Sequence, residues 1–227
     1  MENSERSENA VQTVPVKKKD GMGFFRFAIK ILTPLVTLFF RPTVSGRENI
    51  PQDGGLFICA NHISNWDVIV LACAVKRPLH YMAKKELFGV FFVKNLVKVL
   101  GAYPVNRESA DLQSVRTTLQ YIKAGETVGV FPQGHRYVGL PPRETTAKGG
   151  LGMLVQRTGA PVLPVAIVSK QRRVKLFRKI KVVVGEPILG DTFATLDKSS
   201  ESYRLIADMV FDRICTLEES NHDDNAR

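Results

Sequence analysis

The chain has few cysteines, and this shortage excludes two classes of site. Its 227 residues include three, Cys59, Cys73 and Cys215, and no two of them form a C-x-x-C pair. Cysteines so few and so scattered exclude a disulfide framework and a structural zinc site, and they favour a reducing compartment. The chain also lacks the G-x-S-x-G motif of α/β-hydrolases, which argues against a serine nucleophile.

A long uncharged apolar run is missing as well. No such run reaches 18 residues, so we expect no helix that spans a membrane. The most apolar stretch, residues 21–40, contains Arg26 and Lys30 on one helical face and Pro34, which we expect to kink it. A basic stripe on an apolar helix is typical of a segment in the interface of an anionic bilayer, and a core helix is the alternative. The sequence thus predicts a membrane-associating segment over residues 21–41.

Acidic residues are outnumbered, with 22 Asp and Glu against 32 Lys and Arg, and the net charge is +10. Residues 1–20 carry no net charge and residues 212–227 carry −3, so the segment between them carries +13. Six of these cations lie within residues 172–181. Such a run is usually a solvated face; docking of an acidic carrier protein or of an anionic lipid surface are the alternatives. Nucleic acid is not expected, because no binding module accompanies the charge.

Short apolar runs alternate with helical patterns from Pro42 onward. The expected strands are Leu56–Ala60, Leu79–Met82, Gly101–Val105, Thr127–Phe131, Val162–Ile167 and Ile180–Val184. The expected helices are Trp66–Ala74, Leu87–Leu100, Ser109–Ala124, Lys148–Arg157 and Glu201–Leu217. This alternation predicts a single α/β domain with a mostly parallel or mixed central sheet flanked by helices.

The domain organisation follows from these patterns. Residues 1–20 are rich in Ser, Glu and Asn without apolar periodicity, so we expect a disordered N-terminal tail before the membrane-associating helical segment 21–41. The α/β domain covers residues 42–219, and an acidic tail over 220–227 is expected to be disordered. The helix Leu87–Leu100, with its aromatic residues and lysines, is either a core helix or a second membrane contact.

A histidine and an aspartate follow the first expected strand. His62 and Asp67 lie in the sequence NHISNWD, between that strand and a helix, where α/β folds place their sites. An Asp across one tight turn fixes the imidazole tautomer and makes the His a competent general base. A histidine that only caps the helix is the alternative. Ser64 lies in the same turn, and we do not expect its hydroxyl to reach the imidazole productively.

Three further strand ends carry distinctive residues. The segment VFPQGHR, residues 130–136, combines a Pro-Gly turn, which exposes backbone N–H groups, with Arg136. The segment GAYPVNR, residues 101–107, ends in Arg107, and APVLPV, residues 160–165, is a proline-bracketed buried strand. Because an arginine offers a bidentate fork to phosphate, these ends describe a site that deprotonates one group while it holds a phosphate.

These four elements, in this order and spacing, resemble the glycerolipid acyltransferase family, in particular its 1-acyl-glycerol-3-phosphate acyltransferases. The resemblance covers roughly residues 44–185. It implies that His62, oriented by Asp67, deprotonates the acceptor hydroxyl, which attacks the thioester of acyl-CoA or acyl-carrier protein without an acyl-enzyme intermediate. The resemblance implies no metal and no bound cofactor.

The resemblance also assigns the remaining residues. It implies that Arg107, Arg136 and Lys84 hold the acceptor's phosphate, with Gln133 and Gly134 in the same substrate-binding loop. It places Val162 and Pro164 in the acyl-binding region. The family's third motif usually reads Phe-Pro-Glu-Gly-Thr-Arg, whereas this chain has Gln133 and His135. Glutamine can still hydrogen-bond an acceptor hydroxyl or the loop backbone, and a role as a charged group is lost. His135 is the competing base, but it lacks an acid at matching spacing.

The expected function is transfer of a fatty acyl chain to the free sn-2 hydroxyl of lysophosphatidic acid, which gives phosphatidic acid. The expected place is the cytoplasmic face of the cell membrane, with the protein peripheral to an anionic surface and not spanning it. Another lysophospholipid or glycerol-3-phosphate is the alternative acceptor. Alternatives of a different class are a non-catalytic lipid-binding protein, which the glutamine makes conceivable, and a lipid hydrolase, in which water replaces the acceptor.

Overall fold

A computed structural model describes residues 21–89, 94–95, 97–98, 100–105 and 111–222. Within these residues, seven strands form one sheet: β1 (Thr43–Ser45), β2 (Leu56–Ala60), β3 (Leu79–Lys84), β4 (Ala102–Val105), β5 (Thr127–Val130), β6 (Val162–Ser169) and β7 (Ile180–Val184). Their order across the sheet is β1-β7-β6-β2-β5-β3-β4. All neighbouring pairs are parallel except β6 and β7. The α/β class with a mixed central sheet is therefore confirmed.

The described helices of eight or more residues cover both faces of this sheet. They are α1 (Gly21–Phe40), α2 (Asp67–Val75), α3 (Leu112–Lys123), α4 (Gly150–Thr158) and α5 (Ser200–His222). Helices α1 and α2 pack on one face in a cluster that contains Leu56, Ile58 and Ala60 of β2. Helices α3, α4 and α5 pack on the other face, against Phe57 and Cys59 of the same strand. Because successive side chains of a strand point to opposite faces, a continuous apolar strand such as β2 serves both layers.

The positions of most expected elements are confirmed to within three residues. The differences are an additional strand, the cap of one helix and the end of the last helix. The sequence did not predict β1, a strand of three residues that pairs with β7 more than 130 residues later. Helix α3 begins at Leu112 and not at a serine cap, because Asp111 is its N-cap and accepts the Ser114 N–H at 3.0 Å. The predicted cap, Ser109, lies outside the described residues, as do six of the fourteen residues of the expected helix Leu87–Leu100.

The C-terminal helix is longer than expected. Residues 220–222 form the last turn of α5, although the sequence placed them in a disordered tail. Asn221 explains the difference: its amide donates to Leu217 O at 2.9 Å, and its Oδ1 accepts a hydrogen bond from Lys181 on β7. This bond holds the turn against the sheet. The expected disordered tails over residues 1–20 and 223–227 lie outside the described residues.

Helix α1 is continuous through Pro34 and has two different apolar faces. Phe25, Ile29, Val36 and Phe40 are buried in the core cluster shared with α2. The opposite side exposes a stripe of four large apolar side chains, hereafter the outer stripe: Phe27, Ile31, Leu35 and Leu38. Their spacing places them on one side of the helix. The core-helix interpretation therefore accounts for one face only. Among the described residues, none of the helices is long and apolar enough to cross a membrane.

Candidate active site

The parallel strands bring the predicted residues to one edge of the sheet. Strands β3, β5, β2 and β6 run in the same direction, so their carboxyl ends meet there. His62 follows β2, and the segment with Gln133 and Arg136 follows β5. Lys84 is the last residue of β3 and is exposed at the same edge. In open α/β sheets, ligand sites form outside these carboxyl ends.

Asn61 fixes the start of the His62 loop. Its side-chain amide donates to Ile167 O at 2.9 Å, and its carbonyl oxygen accepts the Ile167 N–H at 2.7 Å. The side chain thus imitates a strand partner for β6 at the point where β2 has ended. Since Asn61 is buried, these two bonds satisfy polar groups that would otherwise be unpaired. The following residue, His62, consequently leaves the sheet in a fixed direction.

His62 and Asp67 form the predicted pair. His62 Nδ1 lies 2.8 Å from Asp67 Oδ2. The same oxygen accepts the backbone N–H groups of Ile63 and Ser64, each at 2.7 Å. Three donors on one oxygen fold residues 62–67 into a tight turn and hold the imidazole with its Nδ1 toward the carboxylate. The His62 tautomer that this arrangement favours carries its proton on Nδ1 and leaves Nε2 free to accept one.

Asp67 is completely buried at the start of α2, and this environment opposes its charge. Burial raises the pKa of the Asp67 carboxyl, while hydrogen bonds from His62, Ser64 and Ile63 act against the rise. The second oxygen, Oδ1, is buried with no hydrogen-bond partner among the described residues. An acid in such a place gains from a positively charged neighbour. It is therefore suited to stabilise an imidazolium formed at His62.

Phe131 supports the other side of the imidazole. Its ring stacks on that of His62 with centroids 4.1 Å apart and an angle of 17° between the planes. The Tyr81 ring lies beyond Phe131 at 6.2 Å. His62 is 14% exposed, and no hydrogen bond occupies its Nε2 within the described part of the chain. The imidazole is thus held by Asp67 and Phe131 while Nε2 remains available to a substrate.

Gln133 connects the His62 loop to a neighbouring loop. Its Oε1 accepts the His62 N–H at 2.7 Å, and its Nε2 donates to Thr145 Oγ1 at 2.8 Å. The Thr145 hydroxyl donates in turn to Pro142 O at 2.6 Å. Gln133 is only 1% exposed, so it does not present its amide to solvent. Of the two roles expected for it, the structure shows the hydrogen bond to loop backbone.

Arg136 lies at the mouth of the site. Its guanidinium donates to Asn65 Oδ1, and the next residue, Tyr137, donates its backbone N–H to His62 O at 2.8 Å. Both contacts tie the segment that carries Arg136 to the loop that carries His62. Arg136 is exposed, and Gly134 before it has φ of +69°, a conformation that favours glycine. An exposed guanidinium beside the turn of His62 and Asp67 is placed to meet an anionic group of a ligand.

The structure places the other predicted residues as follows. Arg107 lies outside the described residues, two positions after Val105, the last residue of β4. Val105 pairs with Lys84, at the edge that carries His62. Val162 and Pro164 are buried in the amino-terminal half of β6, so the structure does not bring them to His62. Their acyl-region role stays a prediction.

The two competing groups are also located. Ser64 Oγ accepts the Trp66 N–H at 3.2 Å, and the described contacts include no bond between that hydroxyl and His62. His135 is exposed and has no carboxylate partner among the described residues. Neither arrangement provides a second acid–base pair. His62 and Asp67 are thus the only His–carboxylate pair in contact within the described ranges.

Sequence reasoning missed three residues that shape the site. In the sequence, Asn61 directly precedes His62 and Phe131 lies two positions before Gln133, and this closeness was the available signal. Their partners lie far along the chain: Ile167 is 106 residues from Asn61. Asn65, which accepts from Arg136, is 71 residues from it. Spacing alone does not reveal such contacts.

Comparisons with known proteins agree with this geometry. The family described as "Acyltransferase" matches residues 41–168. The chain is 33% identical over 198 residues to the 1-acyl-sn-glycerol-3-phosphate acyltransferase of Bacillus subtilis (strain 168), covering 86% of this chain and 96% of that protein. It is 25% identical over 183 residues to the protein of the same name from Streptococcus pneumoniae, covering 78% of this chain and 67% of that one.

A solved structure is similar over most of the chain. It is the crystal structure of the 1-acyl-sn-glycerophosphate (LPA) acyltransferase PlsC from Thermotoga maritima, with a TM-score of 0.64 and 25% identity. The match covers 89% of this chain and 84% of that one.

Proposed function

The chain belongs to the acyltransferase family and is an O-acyltransferase, and from that premise we propose that it esterifies the sn-2 hydroxyl of 1-acyl-glycerol-3-phosphate to give phosphatidic acid. The acyl donor is a thioester, acyl-CoA or acyl-carrier protein. The observation that carries the proposal is the His62–Asp67 pair, 2.8 Å apart, with Nε2 free on the outer side. The names of the relatives from Bacillus subtilis and Streptococcus pneumoniae support this acceptor.

The proposed reaction passes through a tetrahedral intermediate, which forms in one step and breaks down in the next. His62 Nε2 takes the proton of the acceptor hydroxyl, and the oxygen attacks the thioester carbonyl carbon. The intermediate collapses, the C–S bond breaks, and the imidazolium returns its proton to the departing thiolate. The products are the ester and a free thiol. Asp67 stabilises the imidazolium between the two proton transfers, and no protein nucleophile is required.

Positioning of the acceptor is proposed to depend on its phosphate. Arg136 is exposed one loop from His62, and Lys84 is exposed at the end of β3. Cations at these places would hold a phosphomonoester while its neighbouring hydroxyl meets Nε2. An oriented acceptor turns a bimolecular encounter into a near-attack geometry, which supplies a large part of the rate. Arg107 is proposed for the same role from the family resemblance.

The reaction is proposed to occur at a membrane surface. The outer stripe of α1 exposes Phe27, Ile31, Leu35 and Leu38, and Lys30 and Arg26 lie along one side of it. Exposed apolar residues beside cations are suited to the interface of an anionic bilayer. A helix that lies in the interface would hold the site close to an acceptor and a product that both partition into lipid. The cytoplasmic leaflet stays a prediction.

The decisive experiment compares the purified protein with its His62→Ala variant in detergent micelles. Lysophosphatidic acid is the acceptor, and acyl-CoA and acyl-carrier protein are supplied as donors in separate reactions. We expect the variant to lose about 10²–10⁴-fold in rate, because general-base catalysis contributes that much. His135→Ala is the matched control, since that histidine is exposed and unpaired among the described residues, and it should keep wild-type activity. Equal losses in both variants would contradict the assignment of the base.

A further inference from the structure

The loop between β6 and β7, residues 170–179, exposes two large apolar side chains. Leu176 is 53% exposed and Phe177 is 63% exposed. Phe177 also has φ of +62°, a left-handed conformation that bulky residues rarely adopt. A residue keeps such a conformation when the surrounding structure imposes it. The backbone conformation at Phe177 is therefore imposed by the fold.

The end of α1 holds Phe177 in place. The Phe177 N–H donates to Phe39 O at 2.6 Å, in the last turn of that helix. The two rings meet edge to face, with centroids 5.6 Å apart. These contacts set Phe177 against the last turn of α1, the helix whose outer stripe ends at Leu38. The exposed apolar tip of the loop thus lies at the end of the helix that carries the exposed apolar stripe, although the two segments are distant in the chain.

The base of the loop is fixed to the catalytic side of the domain. Arg172 Nε donates to Glu218 Oε1 at 3.0 Å, and this carboxylate is buried on α5. Arg172 O accepts the Gly139 N–H at 3.0 Å, three residues after Arg136. The loop is thus clamped between α5 and the segment that forms the mouth of the site. Any surface that receives the loop tip lies close to that mouth.

The charge of the loop selects the kind of surface. Residues 170–181 contain no acid. In the described part of the chain, five of their cations have no carboxylate partner: Lys170, Arg173, Lys175, Arg178 and Lys179. An acidic protein would be complementary to these cations but not to the apolar pair at the tip. Lipid matches both these cations and the apolar pair at the tip, because the bilayer interface offers anionic groups and an apolar interior together.

We propose that residues 170–179 form a second membrane-contacting element, which inserts Leu176 and Phe177 into an anionic bilayer beside α1. Two separated contacts with the bilayer fix the orientation of the domain relative to the membrane, whereas a single helix does not. In that orientation the carboxyl edge of the sheet, with His62, faces the lipid that contains the acceptor. The inference rests on the proposed membrane site of action and does not depend on which acyl transfer the protein catalyses.

The test measures partition of the full chain onto sedimented vesicles with about 30% anionic phosphatidylglycerol in phosphatidylcholine. The double variant Leu176→Ser/Phe177→Ser should partition at least about tenfold less than wild type, since it loses two large apolar side chains from the contact. Leu189→Ser is the matched control. Leu189 is also 63% exposed but lies next to Ile188, which pairs with Val162 at the amino end of β6, so its partition should equal that of wild type.

A second variant tests the charge and does not alter the apolar tip. Lys175→Gln/Arg178→Gln should lower partition onto the anionic vesicles and leave it unchanged on pure phosphatidylcholine, and Lys198→Gln is its exposed control. Thermal melts establish that each variant is folded. Unchanged partition of the Leu176/Phe177 variant, or an equal loss in the Leu189 control, overturns the proposal.

Carrier-protein docking is the competing outcome, and it is measured separately by titration with acyl-carrier protein in the absence of lipid. Loop variants that lose this binding and keep full vesicle partition would assign the loop to the carrier protein and overturn the membrane contact. None of these measurements requires turnover. A failure of the proposed acyl transfer would therefore be distinguished from a failure of this inference.

Discussion

At the residue scale, Asp67 shows how a charge can be placed where the fold does not favour it. Its Oδ2 accepts three N–H donors while its Oδ1 is buried without a partner in the described structure. Burial raises the pKa of this carboxyl, so ionising it costs stability that is present below its unfolded pKa and lost as the pH rises through the folded pKa. The charge is suited to stabilising the His62 imidazolium rather than to stabilising the fold.

Asp67→Asn should separate these two effects. The asparagine carbonyl can replace Oδ2 as acceptor, so we expect the thermal unfolding midpoint at pH 7 to stay the same or rise. The rate of acyl transfer should fall by about 10²–10⁴-fold, because a neutral amide does not stabilise the imidazolium. Asp67→Ala is the comparison: it removes the acceptor of the Ile63 and Ser64 N–H groups, of which the first is buried, and should lower stability as well. A stable Asn variant with full activity would contradict the role of the charge.

Gln133 forms hydrogen bonds through both ends of its side-chain amide. It accepts from His62 N and donates to Thr145, so its amide matches both neighbours. Gln133→Leu should destabilise the protein by about 1–3 kcal/mol, the cost of an unpaired buried donor, and should reduce activity through the His62 loop. Gln133→Glu should stay active, because a carboxylate accepts from both neighbours once the Thr145 hydroxyl turns from Pro142 O. Unfolding in denaturant and micelle assays measure both effects, and a Leu variant as stable as wild type would contradict the argument.

The sequence could predict the His62–Asp67 pair better than the residues that hold that pair in position. His62 and Asp67 were predictable because they are five residues apart across one turn, where geometry is local. Phe131, stacked on the imidazole, and Asn61, bonded to Ile167, act through contacts across the sheet. Such contacts depend on which strands become neighbours. That order is a property of the whole sheet and not of any one segment.

At the scale of elements, α1 combines a core face with an exposed apolar face. We expect Ile29→Ala, on the buried face, to destabilise the fold by about 2–4 kcal/mol. Phe27→Ser with Leu38→Ser, on the outer stripe, should leave the free energy of unfolding within about 0.5 kcal/mol and should reduce vesicle partition. Denaturant unfolding and vesicle sedimentation separate the two. If the outer-stripe variant unfolds as easily as Ile29→Ala, the stripe packs against protein and not against lipid.

The same two faces explain why deletion is a poor test of membrane binding. Removing residues 21–40 would also uncover the apolar surface of α2 that Phe25, Ile29 and Val36 cover. A truncated protein that aggregates would sediment whether or not it binds vesicles. Point substitutions on the outer stripe avoid this confusion, because they leave the buried face intact.

Elements were predictable where the apolar pattern was long. Strands β2 and β7 were expected with the bounds that the structure gives them. Strand β1 is too short to show a pattern, and it forms only because β7 offers an edge to pair with. The reversed direction of β7 was equally inaccessible, since it follows from the loop 170–179 turning back along β6. Pattern identifies a strand, and pairing decides its direction.

At the scale of the whole molecule, charge and apolar exposure coincide on one side. The carboxyl edge of the sheet carries His62, Arg136 and Lys84, and the β6–β7 loop adds an acid-free run of cations in a segment that contacts the last turn of α1. The segment between the two termini carries the positive charge, as the net charge of +13 over residues 21–211 indicated. A domain so arranged is drawn to an anionic surface by long-range attraction and held there by short-range apolar contact.

Salt should separate these two forces. Screening shortens the reach of the charges from about 10 Å at 0.1 M salt to about 3 Å at 1 M, whereas apolar insertion does not depend on that reach. We expect wild-type partition onto anionic vesicles to fall steeply over this range and to level off near the value measured on neutral vesicles. Sedimentation at a series of salt concentrations gives the curve. Partition that is insensitive to salt would show that the cations do not contact lipid, and complete release at high salt would show that the outer stripe and the loop tip are not inserted. A curve with both a steep fall and a plateau requires both forces, because neither alone produces it.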